Sequence, residues 1–157
     1  MNSPKSVVNI SFEQDAALVK NLLDDLLLEQ NALVKSDIAV VESIIDRKFL
    51  LLQQLSTVAK NRYEQLSKHG FEANESGMVA WLRQQGNASL QKSWDAFQMM
   101  LARTKETNRL NGILINKHFS RNQQMLTHLQ GKPEAGSMYG KNGQAKTSLF
   151  SGSVLMA

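Results

Sequence analysis

Few residues in this chain have the types and spacing for chemistry. Asp24, Asp25 and Glu29 lie close together in one leucine-rich stretch, the nearest approach to the paired carboxylates of an acid–base site. His69, His118 and His128 each lack the carboxylate three positions earlier that a Glu-x-x-His metal pair would need, which argues against a di-metal bundle. There is no His-Glu-x-x-His, no glycine-rich phosphate loop and no Gly-x-Ser-x-Gly elbow. Cysteine is absent, which removes thiolate metal sites, disulfides and cysteine nucleophiles. The expectation is a protein that acts by binding, with no enzymatic activity, cofactor or metal.

Another set of polar residues stands out because of where it falls. Glu29, Lys48, Asn108 and Asn111 each occupy a position at which the surrounding helical pattern calls for an apolar side chain. A tight turn near Ser36 sets Glu29 near Ile44, and a crossover that brings Leu66 beside Leu90 sets Lys48 beside Asn108. All four then share one cross-section, a polar layer of the kind that fixes helix register in coiled coils or forms part of a partner groove. Gly112 follows directly. A glycine within a helix costs about 1 kcal/mol relative to alanine, so it suggests a close backbone approach or a local bend.

The elements that must position this layer are long helices. The first runs from about Ser11 to Lys35, with Phe12, Val19, Leu22, Leu26 and Leu33 on one stripe thickened by Leu23, Leu27 and Leu28. Ser36-Asp37 supplies cap chemistry for a second helix ending at His69-Gly70, whose seam of Ile38, Val41, Ile45, Leu52, Leu55 and Leu66 is interrupted by Lys48 and Arg62. Phe71 to Gly77 reads as polar loop and Met78 to Gln85 as a short helix covering the lower end with Trp81 and Leu82. The longest stretch, Asn87 to Gln130, has no proline and carries Leu90, Trp94, Phe97, Leu101, Thr104, Asn108, Asn111 and Ile115 at alternating three and four residue steps. At roughly 60 Å it needs equally long partners. The fold class is therefore all-α: an antiparallel three-helix bundle of long, coiled-coil-like helices with a short crossover helix. Residues 1–130 form the bundle domain, and the glycine-rich 131–157 a flexible tail that binds partners.

With 157 residues and no long apolar run, a single cytoplasmic domain without membrane insertion is expected. The net charge of +4 is uneven: residues 87–157 hold nine basic and three acidic side chains, whereas residues 1–35 hold three and five. Asp95 and Glu106 dilute the basic run and no docking motif accompanies it, so nucleic acid is not an expected partner.

Taken in order, Glu29-x-x-x-Leu33, Lys48, Asn108-x-x-Asn111-Gly112 and the tail motif Tyr139-Gly140-x-x-Gly143 resemble the FlgN family of flagellar export chaperones. The resemblance covers roughly Phe12 to Gly143. It implies a cytoplasmic chaperone that holds secreted hook-filament junction subunits and delivers them to the export gate or its ATPase. Such subunits carry apolar helical ends that need a partner before export. Ile115, Phe119, Met125, Leu126 and Leu129, near the end of the long helix, could supply the groove, the methionine adapting to more than one client. The resemblance also implies that Tyr139, with Gly140 and Gly143, docks on the gate or the client. A strip of this kind could equally drive a homodimer, which makes a self-associating structural coiled coil the alternative.

Overall fold

Proline-free runs with apolar residues every three or four positions form four helices: α1 (Glu13–Val34), α2 (Ile38–Lys68), α3 (Glu75–Gln85) and α4 (Ala88–Leu129). The computed structural model describes residues 9–131, so Tyr139, Gly140, Gly143 and nearly all of the tail assigned to 131–157 lie outside the described residues. The helix boundaries are set by local chemistry. Asp37 caps α2 by accepting from the Val40 amide at 3.3 Å. Gly86, in the left-handed conformation at φ 60°, ends α3, and Asn87 caps α4 through the Ser89 and Leu90 amides.

The bundle runs up, down and up. Asp15 and Arg62 at one end, and Glu29 and Lys48 towards the other, fix the antiparallel pairing of α1 and α2. Phe12 packs on Trp94 at 5.0 Å between ring centres, and Asn111 reaches Glu29, so α4 runs parallel to α1 in matched register. Helix α1 therefore lies between the other two long helices. It packs closely on both, while α2 and α4 touch each other only sparsely. The lower end is closed by α3, whose Met78, Trp81 and Leu82 join Phe12, Val19, Leu66, Trp94 and Phe97 in one buried cluster.

Three details differ from the sequence reading. On α2 the expected seam holds at Lys48, Arg62 and Leu66, which are buried, but towards the start of the helix Ile44 is the buried isoleucine, and Ile38 and Ile45 are 50 % and 40 % exposed. Leu27 and Leu28 face water and do not thicken the α1 stripe. Helix α3 starts three residues earlier than expected, because Asn74 accepts from the Gly77 amide at 2.9 Å and starts the turn ahead of the glycine. Gly77, expected in the loop, lies inside α3, where a Cβ would stand 1.8 Å from the backbone oxygen of Glu72. Gly77→Ala should therefore lower unfolding free energy by about 1–3 kcal/mol, read as a shift in the urea midpoint at constant slope.

Candidate functional site

The polar layer forms. Glu29 on α1 is 1 % exposed, and its carboxylate accepts from Lys48 Nζ of α2 at 3.1 and 3.3 Å. Asn111 Nδ2 of α4 donates to Glu29 Oε1 at 2.9 Å and to the Leu26 carbonyl oxygen at 2.8 Å. One carboxylate thus ties three helices together. The layer closes through α1, not through the expected juxtaposition of Lys48 and Asn108. Asn108 is half-buried one turn before Asn111 and is not part of this hydrogen-bonded trio. Burying a pair of charges costs desolvation that good geometry largely offsets, so the pair adds little net stability over apolar residues of similar volume.

A second buried ion pair went unread in the sequence. Arg62 Nη1 donates to Asp15 Oδ1, both side chains being almost fully buried, and the guanidinium lies 5.2–5.6 Å from the ring centres of Tyr63, Trp94 and Phe97. Burial lowers the Arg62 guanidinium from its ordinary value, opposed by Tyr63 and Glu75. Arg62 was visible as a break in the α2 seam. Asp15 sits on the α1 stripe four residues before Val19, and that spacing was the available signal. These two residues border a groove of about 650 Å³ between α2 and α4, walled also by Leu52, Leu55, Phe97 and Leu101.

The residues assigned to partner binding divide by position along α4. Asn111 is buried in the layer, its Nδ2 bonded to Glu29 and Leu26 while its Oδ1 is buried without a hydrogen-bond partner, and Gly112 and Ile115 are half-buried. Gly112 makes no close approach within the described fold: a Cβ there would meet nothing within 4 Å, and α4 continues unbroken through it. His118 Nε2 lies 2.6 Å from the Leu33 carbonyl oxygen, at the last turn of α1. Beyond it α4 has no parallel neighbour in α1. From Phe119 to Leu129 every residue except Thr127 is exposed, including Phe119 (49 %), Met125 (57 %), Leu126 (52 %) and Leu129 (79 %). Phe119, Leu126 and Leu129 continue the stripe that Phe97, Thr104, Asn111 and Ile115 bury lower down.

Among the described residues there is no cluster of histidines and carboxylates able to hold a metal, and no helix long and apolar enough to cross a membrane. What the geometry defines is an elongated all-α bundle with a buried polar layer and a helix end that outruns its partners. The chain belongs to the FlgN family, whose pattern, described as FlgN protein, matches residues 7–147. It is 34 % identical over 68 residues to the flagella synthesis protein FlgN of Proteus mirabilis, a match spanning 43 % of this chain and 46 % of that relative. Its fold is similar to that of a crystal structure assigned to a flagella synthesis protein FlgN of Pseudomonas aeruginosa. The TM-score is 0.60 and the identity 26 %, over 68 % of this chain and 84 % of that one.

Proposed function

We propose that the chain is a cytoplasmic chaperone of flagellar protein export, which holds hook-filament junction subunits and hands them to the export gate or its ATPase. The observation that carries this reading is the end of α4. Its apolar stripe runs out from a buried seam into water with Phe119, Leu126 and Leu129 uncovered. Unassembled coiled-coil ends of a secreted subunit present the matching surface, and a helix laid along α4 would bury both. Membership of the FlgN family supports the flagellar context. The reading requires no catalytic step.

Co-expression with each secreted flagellar subunit, followed by co-purification and mass measurement, tests it. A complex of fixed stoichiometry with a junction subunit is the expected result. An assembly that grows with concentration and binds no subunit would instead mark a structural coiled-coil protein. Repeating the experiment without residues 131–157, and with Tyr139→Ala, separates holding from delivery. The alanine variant should keep its melting temperature and its client but lose delivery.

A further inference from the structure

The upper wall of α2 is apolar, and no element among the described residues covers it. Ile38, Ile45 and Phe49 recur at helical spacing, are 50 %, 40 % and 68 % exposed, and continue the line of Leu52 and Ser56 that walls the groove. Across from them, the α4 line that begins at Leu101 and Lys105 in the groove continues at the same spacing through Asn108, Gly112, Ile115 and Phe119. Because α2 and α4 touch only sparsely, the two lines flank a trough with α1 as its floor. Each rail, from Ile38 to Leu55 and from Leu101 to Phe119, spans roughly 26 Å at the helical rise, the length of a helix of about five turns.

Gly112 supplies an independent observation. It stands half-buried in the middle of the α4 rail, and nothing within the described fold requires a glycine there. A mid-helix glycine costs about 1 kcal/mol relative to alanine, a cost that the close passage of another backbone can offset. The charges at the lower end favour an acidic visitor. Lys60 of α2 and Lys105 of α4 line the groove, with Lys60 4.0 Å from Glu64 on its own helix and Glu75 at the mouth. Asp15 is already matched by Arg62, whose Nε is buried without an acceptor.

We propose that this trough seats one amphipathic helix of another polypeptide. The helix crosses Gly112 through a small residue of its own and carries acidic side chains at the end between Lys60 and Lys105. The inference rests on the chaperone reading and adds where, and by what chemistry, the client helix is held.

Because the chain has no cysteine, Phe49→Cys in the trough and Met99→Cys on the outer face of α4 can each carry an environment-sensitive fluorophore on the full-length chain. The probe is the junction subunit that co-purifies with it. The label at position 49 should shift to the blue on binding and the label at 99 should not. Gly112→Leu should weaken binding at least tenfold at unchanged melting temperature, and Lys105→Glu should weaken it too. Should Gly112→Leu fail to fold, Phe49→Glu at a mostly exposed position gives the same readout. A subunit that binds but moves neither label and tolerates these variants overturns the trough and leaves the chaperone reading standing. A free chain already shifted at position 49 also overturns it: concentration dependence would identify a second copy as the occupant, and loss of the shift on removing residues 132–157 would identify the tail. If no subunit binds at all, both readings fall.

Discussion

Glu29→Ala should lower the unfolding free energy by about 3–5 kcal/mol, the cost of breaking one side of a buried ion pair. The substitution removes the counter-charge from Lys48, which is 6 % exposed, and one of the two acceptors of the Asn111 amide. An exposed pair on the same bundle, such as Lys20 with Asp24, offers the contrast: replacing Asp24 should cost at most about 1 kcal/mol, because water screens it in both states. The decisive control is Glu29→Leu combined with Lys48→Met. If the layer serves register and not stability, the double variant should be within about 1 kcal/mol of the parent in urea denaturation. It should also lose the uniqueness of helix pairing, seen as broadened amide resonances or concentration-dependent mass. A Glu29→Ala variant as stable as the parent would show that the carboxylate is not buried against Lys48 in solution.

Replacing Phe119, Leu126 and Leu129 together by serine should abolish client binding while leaving the melting temperature almost unchanged. These side chains are half to four-fifths exposed, so the free protein loses little packing. In a complex each would bury most of what remains. At about 25 cal/mol per Å² of apolar surface, three such side chains supply roughly 3 kcal/mol or more, a loss of at least about a hundredfold in affinity. Titration calorimetry with a junction subunit and a thermal melt of the free variant read the two quantities separately. A collapse of the melting temperature would place these residues in the protein's own core and remove the exposed strip from the chaperone reading. Phe119 belongs to both the trough and the helix end, whereas Gly112 lies only in the trough and Leu126 and Leu129 only beyond it, so comparing Gly112→Leu with Leu126→Ser plus Leu129→Ser shows how far along α4 the client extends.

The residues of the layer were legible in the sequence because each violates a local pattern. Glu29, Lys48 and Asn111 stand where a periodic apolar stripe demands leucine, and periodicity is a property of a few consecutive turns. The helices and the cap at Asp37 followed from the same local rules, whereas the outrun of α4 past a 22-residue α1 did not, since the length of the longest helix called for equally long partners. Asn108 satisfied the pattern equally well and was grouped with Asn111. A single turn of α4 separates the asparagine that reaches Glu29 from the one that does not, and only packing decides between them.

Sequence alone determined an all-α chain with charged residues inside its seams, because helix periodicity and capping act within a few residues. Tertiary structure decided which charge meets which. Asp15 finds Arg62 across 47 positions, Ile44 takes the place expected of Ile45, and α1, not the longest helix, becomes the floor on which the other two rest. Those choices depend on the relative rotation and separation of whole helices, set by the fit of many side chains at once, and no window of consecutive residues contains that information.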